Sequence, residues 1–196
     1  MSARCRLAFL PLLLVVALAG CKVDSTNPIT PVASAQPDIA LYGVWRHRAQ
    51  GELTYVHIGP AFSLGDAAAG TKARTRIVVI DHKANGLTDD TYDAYVSRVG
   101  RQRYLNVVQV DAGKPVGYIF VRYSRIDANT LRFSTMNEDA LQAAIRAGRI
   151  KGTIRGEGLA SETTITATSA EIEEFFGREG AKLFATPFVL RRVADR

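Results

Sequence analysis

The chain has 196 residues, a formal net charge of +6 and a hydrophobic fraction of 47%. This length is enough for one domain with a sizeable core. The basic residues are dispersed among Asp and Glu rather than gathered into a run, so the composition argues against nucleic-acid binding. Both cysteines precede residue 22, which leaves the remainder of the chain without a thiol and excludes a disulfide framework there.

The chain begins like an export signal. Arg4 and Arg6 precede an apolar run, Leu7 to Leu18, that is short for a bilayer span and has the length of a signal-peptide h-region. The run ends in Leu18-Ala19-Gly20-Cys21, which resembles the lipobox of bacterial lipoproteins. The resemblance implies that residues 1–20 are removed, that the Cys21 thiol carries a diacylglycerol and that its new amino group is acylated. The alternative is an ordinary cleaved signal with an incidental cysteine.

Residues 21–40 are interpreted as the lipidated cysteine and a flexible tether. Pro28, Pro31 and Pro37 stand among small and polar residues that show no helix or strand period. The folded domain is therefore expected over residues 41–196. Lipoproteins without an Asp after the lipid-bearing cysteine usually go to the outer membrane. Lys22 thus implies a bacterial envelope lipoprotein on the outer membrane, facing the periplasm, with the inner membrane as the alternative.

Short β-branched and aromatic runs separated by turn residues predict some eight or nine strands. Eight regular runs cover residues 41–46, 53–58, 76–80, 104–110, 116–123, 130–135, 162–168 and 184–193, and the less regular residues 92–99 and 150–158 are further candidates. Asn85-Gly86 is typical of a tight hairpin turn. Short connections favour an antiparallel meander, and a meander of this length is expected to bend strongly or to close.

Two segments predict short helices within the second half of the chain. Asn137 is a suitable N-cap for the first, and Thr168 with Glu171 forms a capping box at the start of the second. Their apolar faces are Leu141, Ala144 and Ile145 in the first helix and Ile172, Phe175 and Phe176 in the second. The fold class predicted is mainly β with some helix (α+β): a small barrel or strongly bent sheet of about eight strands with two short helices.

The triplet Gly43-Val44-Trp45 resembles the Gly-x-Trp signature of lipocalins and related calycins. In that family the Trp packs across the closed end of the barrel, and an Arg near the end of the last strand lies over its ring. The resemblance implies a lipocalin-like barrel closed by Trp45 with Arg191 or Arg192. The alternative is a lone core Trp beside an unrelated Gly. The chain is also similar to uncharacterised bacterial lipoproteins with an Arg-Tyr-Leu-Asn segment, here Arg103 to Asn106, and that likeness implies no activity.

No arrangement typical of catalysis or metal binding occurs in the sequence. Gly-x-Ser-x-Gly, Ser-x-x-Lys and His-Glu-x-x-His motifs are absent, as are phosphate-binding glycine loops. His47, His57 and His82 lack the spacing of metal ligands. We therefore expect no enzyme activity, no metal and no cofactor.

Two functions remain open at this point. Tyr118, Phe120 and Tyr123 belong to the most aromatic predicted strand and would line a cavity for a small apolar or amphipathic ligand, or simply form core. A hollow barrel indicates ligand binding, whereas a filled barrel with an exposed apolar patch indicates an assembly accessory that binds another envelope protein. In both cases lipid on Cys21 makes the membrane a partner.

Overall fold

A computed structural model describes residues 23–49, 51–61, 74–83, 86–156 and 161–194. The predicted export signal, the lipobox and Cys21 lie outside the described residues. No helix within the described ranges is long and apolar enough to cross a membrane.

The described ranges contain eleven strands and two α-helices. The strands are β1 (Val23–Ser25), β2 (Gly43–Ala49), β3 (Glu52–Pro60), β4 (Arg74–Lys83), β5 (Gly86–Val99), β6 (Gln102–Asp111), β7 (Lys114–Asp127), β8 (Thr130–Thr135), β9 (Gly152–Arg155), β10 (Glu162–Ile165) and β11 (Phe188–Arg192). The helices are α1 (Glu138–Arg146) and α2 (Ser169–Glu179). Short 3₁₀ turns lie at Val32–Ser34, Ile39–Leu41 and Gly180–Leu183.

Eight antiparallel strands form a closed barrel. Strands β2 to β8 follow one another around the wall in chain order, and β11 closes the wall between β8 and β2. Closure gives most of these long, β-branched strands two neighbours, which removes the edges that an open sheet of this size would expose. The predicted lipocalin-like barrel of about eight strands with two short helices is confirmed.

Apolar side chains form two cores, one inside the barrel and one outside its wall. Successive residues of a strand point to opposite faces, so Leu105 of β6 faces the interior while Tyr104 faces outward. The outer core is covered by the helices and by a side sheet in which β1, β10 and β9 extend from β7. Phe175 and Phe176 of α2 are buried there, as the sequence predicts.

Both helices begin where their capping residues indicate. The side chain of Asn137 accepts a hydrogen bond from the Ala140 N–H at 2.9 Å. At the start of α2, Thr168 and Glu171 make both hydrogen bonds of a capping box. These bonds satisfy N–H groups that have no partner inside the helix, so each helix has a fixed first turn.

The prediction of a flexible tether is wrong for the described residues that precede position 41. Val23–Ser25 forms β1, which pairs in parallel with β10 and antiparallel with Tyr118 of β7. Ile29 is fully buried in the outer core. The prolines of this segment prevent a long helix or strand, but they do not prevent burial of the apolar residues between them. The folded part of the chain therefore extends back at least to Val23.

Asn106 explains how this segment is attached to the barrel. Its side chain is fully buried on the outer face of β6. Asn106 Oδ1 accepts a hydrogen bond from the Ile29 N–H at 2.9 Å, and its amide nitrogen donates to Ser97 Oγ at 2.7 Å. A buried amide with satisfied partners fixes one arrangement of its neighbours. The Arg-Tyr-Leu-Asn segment thus holds the N-terminal segment against the barrel.

Candidate functional site

The barrel interior contains an apolar cavity of about 50 Å³. Side chains from six strands line it: Val56, Ile58, Ile77, Val79, Leu105, Val107, Val121, Phe133, Thr135, Phe188 and Leu190. In this set only Thr135 carries a polar side-chain atom. An apolar space of this kind offers a water molecule too few hydrogen-bond partners and suits hydrocarbon better.

One end of the barrel, here named the closed end, is formed by Trp45 and Arg192. Trp45 is fully buried, and its indole N–H donates to the Leu41 carbonyl at 2.8 Å. The Arg192 guanidinium carbon lies 4.2 Å from the centre of the Trp45 ring, at a cation–π distance. Of the two arginines that the sequence offered, the structure places Arg192 over the ring, while Arg191 is exposed.

Gly43 is required by the same arrangement. The Arg192 guanidinium donates to the Tyr42 carbonyl at 2.9 Å and runs close past the backbone of Gly43. A Cβ at Gly43 would lie 2.3 Å from Arg192 Nη1, and the residue has a φ of +135°. Both facts favour glycine. The Gly-x-Trp triplet is therefore one unit with the arginine of β11.

A buried polar contact adds to the closed end. The Tyr123 hydroxyl donates to Asp38 Oδ2 at 2.9 Å, and Arg103 Nε lies 3.8 Å from the same oxygen. Burial, followed by the hydrogen bond to Asp38, raises the pKa of Tyr123 well above its usual value of 10. The phenol therefore stays neutral and donates across the physiological pH range.

The opposite end of the barrel carries a polar row. His47, Thr54 and Asp81 stand opposite one another on β2, β3 and β4. The Thr54 hydroxyl donates to Asp81 Oδ1 at 2.5 Å, and both side chains are buried. His47 Nδ1 lies 2.8 Å from the Val189 carbonyl, and its ring packs edge-on against Phe188. Polar side chains therefore lie between the apolar cavity and this end of the barrel.

The three aromatic residues predicted to line a cavity do not lie together. Tyr118 and Phe120 face outward, where Tyr118 contacts Tyr95 and Phe120 contacts Phe176. Tyr123 faces inward and stacks on Phe133. An odd number of positions separates Tyr123 from the other two, so the alternation of β7 places it on the opposite face. The cavity is lined mainly by aliphatic side chains instead.

The histidines do not converge either. His47 belongs to the polar row, whereas His57 is exposed on β3 and His82 packs against Tyr55. Within the part of the chain that the structure describes, no group of three or more His, Cys, Asp or Glu residues could hold a metal ion.

The barrel wall is split between β5 and β6, a feature that the sequence analysis missed. The two strands pair from Val99 opposite Gln102 to Ala94 opposite Val107, and then diverge. Beyond this point β5 continues to pair with β4, and β6 continues to pair with β7. We call the space between residues 86–93 of β5 and residues 108–111 of β6 the lateral gap. A groove of about 460 Å³ lies there.

The fold and its interior define the class of protein, a closed eight-stranded antiparallel barrel of lipocalin-like form with a helical side layer. No family model matches the chain, and neither do any of the curated proteins or solved structures with which it was compared. The functional argument therefore rests on the geometry of the barrel.

Proposed function

We propose that this protein is a lipid-anchored envelope lipoprotein whose barrel binds the end of a slender apolar chain, such as the acyl chain of an amphipathic lipid. The observation that carries the proposal is the apolar cavity inside the barrel. Small barrels either enclose one ligand or are filled by their own side chains. Here the filling is incomplete, and the unfilled part is surrounded by hydrocarbon.

The size of the cavity limits the ligand. Measured as the space open to the centre of a water-sized sphere, one water molecule needs roughly 10–15 Å³. By the same measure, the cavity of about 50 Å³ corresponds to only a few heavy atoms. Pockets that enclose a whole drug-sized ligand usually measure about 300–1,000 Å³. The cavity thus suits the tip of an aliphatic chain rather than a ring system. Movement of the aliphatic lining would admit further methylene groups, each worth about 0.8 kcal/mol on burial.

The lipobox resemblance supports a lipid anchor on Cys21. The position of β1 then indicates how close the folded domain would lie to the membrane. Two peptide units separate Cys21 from Val23, so their Cα atoms lie within about 7 Å of each other. Acyl chains on Cys21 would therefore hold the barrel directly against the headgroup layer. Intact-mass measurement of the mature protein tests this part. A mass without acyl chains on Cys21, or cleavage at another bond, would exclude the anchor.

Ligand binding is tested with cis-parinaric acid, a linear fatty acid that becomes fluorescent in apolar surroundings. We expect the wild-type protein to bind it and Val79→Phe, which fills the cavity, to weaken binding by about tenfold or more. Val78→Phe is the matched control, because Val78 is the adjacent residue of β4 and faces outward. Failure of the wild type to bind, or equal binding by Val79→Phe, would contradict the proposal.

A second function is favoured by a different observation. Leu87, Val110 and Val116 are large apolar residues that are 67%, 58% and 58% exposed, and they lie on β5, β6 and β7. Large exposed apolar side chains are one mark of a protein contact surface. As an assembly accessory, the protein would bind another envelope protein through this surface. Replacement of all three by Ser should then abolish a specific cross-link in intact envelopes while parinaric acid binding is retained.

A further inference from the structure

We infer that an acyl ligand reaches the barrel interior sideways, through the lateral gap between β5 and β6, and not through the end of the barrel. The inference rests on the proposed ligand binding and adds the route and the orientation of the ligand. It identifies the ligand class as a single-chain amphipathic lipid, with its chain inside the barrel and its headgroup outside the gap.

The gap leads directly to the cavity. The groove is lined by Arg76, Thr91, Tyr92, Asp93, Val107, Val108, Gln109, Val110 and Ile119. Among these, Tyr92, Val107 and Ile119 belong to the interior core. Val107 lines both the groove and the cavity, so the two spaces adjoin at this side chain. Movement of Val107 with its interior neighbours Tyr92 and Ile119 would connect them.

The end of the barrel is a poor route for hydrocarbon. An acyl chain entering there would have to pass the polar row of His47, Thr54 and Asp81. The Asp81 carboxyl is buried, and its hydrogen bond from Thr54 would be disturbed by a chain inserted between the strands. Contact of hydrocarbon with a buried polar pair that loses its partner is strongly unfavourable. The closed end is blocked by Trp45 and Arg192.

The outer rim of the gap suits a polar headgroup. Arg76 and Asp93 form an exposed ion pair there, with Arg76 Nε 3.0 Å from Asp93 Oδ1, and Gln109 lies on the facing strand. Among the described residues, the pairing of β5 with β6 ends at Ala94 and Val107, so the rim of the gap lies just beyond this pair. The gap therefore changes from polar outside to apolar inside, as an amphipathic lipid does.

A disulfide across the gap tests the route. Asp93 and Val108 are the first pair beyond the last paired residues, Ala94 and Val107, so Asp93→Cys with Val108→Cys would close the gap. The control is His57→Cys with Val78→Cys, because these residues face each other on the outside of the paired strands β3 and β4. No other thiol lies between residues 22 and 196. Both variants are measured oxidised and reduced in the full chain, with Cys5 and Cys21 replaced by Ser.

Stopped-flow fluorescence with cis-parinaric acid gives the rates. We expect the oxidised gap variant to bind and release the probe about tenfold more slowly or worse than the same variant in its reduced form. The oxidised control should keep the wild-type rates. A disulfide-closed gap with unchanged rates would overturn the lateral route while ligand binding stands. Absence of binding by the wild type would instead overturn the proposed function itself.

A second variant covers the case in which the disulfide forms poorly. Thr91→Trp places an indole in the groove from an exposed position on β5. It should slow association by a similar factor, whereas Thr166→Trp, at an exposed threonine just after β10, should not. Wild-type association by Thr91→Trp would also count against the lateral route.

Discussion

Replacement of Gly43 by Ala tests the unit formed by the Gly-x-Trp triplet and Arg192. The new Cβ would lie 2.3 Å from Arg192 Nη1, a separation that real structures do not contain. The guanidinium must therefore move off the Trp45 ring and lose its bond to the Tyr42 carbonyl. The φ of +135° adds backbone strain that glycine does not have.

The magnitude follows from these contributions. Backbone strain costs about 1–2 kcal/mol, the lost cation–π contact about 1–2 kcal/mol and the lost charged hydrogen bond about 1 kcal/mol. We expect Gly43→Ala to lower the free energy of unfolding by about 3–5 kcal/mol, a large share of the stability of a small domain. Urea unfolding followed by tryptophan fluorescence measures it, because Trp45 is the only tryptophan in the chain.

A matched glycine and a double-mutant cycle separate the causes. Gly59→Ala is the control, since an added Cβ meets no atom within 4 Å there and the backbone is unstrained; it should change stability by about 0.5 kcal/mol or less. In an Arg192→Ala background, Gly43→Ala should cost only the strain, about 1–2 kcal/mol. An equal cost with and without Arg192 would refute the steric argument.

Three further predictions concern stability. Burial raises the pKa of Tyr123 and of Tyr95 above the usual value of 10. Their contribution to the free energy of unfolding is therefore complete below about pH 10 and is lost at higher pH. Tyr123→Phe should accordingly reduce the fall in the free energy of unfolding at alkaline pH. A wild-type slope in that variant would contradict this assignment. Thr54→Val should cost about 1–3 kcal/mol in urea unfolding, since Asp81 loses a buried donor. Thr168→Ala should cost about 1 kcal/mol in the same assay by removing the cap of α2, whereas the exposed control Glu173→Ala should cost almost nothing.

Much of the barrel could be predicted from local pattern. Period-two alternation and turn residues locate its strands, and the short connections between them favour the meander. The capping residues Asn137 and Thr168 mark where the helices begin, because their side chains satisfy helical N–H groups directly. The resemblance of Gly43-Val44-Trp45 to a lipocalin start indicated two arginines, and only tertiary geometry distinguishes Arg192 from Arg191.

The rest could not be predicted because it depends on distant partners. Pro28, Pro31 and Pro37 are locally typical of a tether, yet Ile29 between them is buried against Asn106, which lies 77 positions further along the chain. The lateral gap forms where β5 and β6 stop pairing with each other while β5 stays paired with β4 and β6 with β7. No short sequence pattern indicates such a divergence. The orientation of Tyr123 could have been predicted from the sequence. It lies an odd number of positions from Tyr118 and Phe120 along β7, so its side chain points to the other face of the strand.

The attachment of β1 has a mechanical consequence. A pull on the acyl chains proposed for Cys21 would reach the described part of the chain at β1, which pairs with β10 and with Tyr118 of β7. Force along a strand loads its hydrogen bonds together, in shear, and Ile29 behind it must leave the core before the segment can yield. From Val23 onward, the proposed anchor would therefore pull on a paired strand and not on a flexible tether.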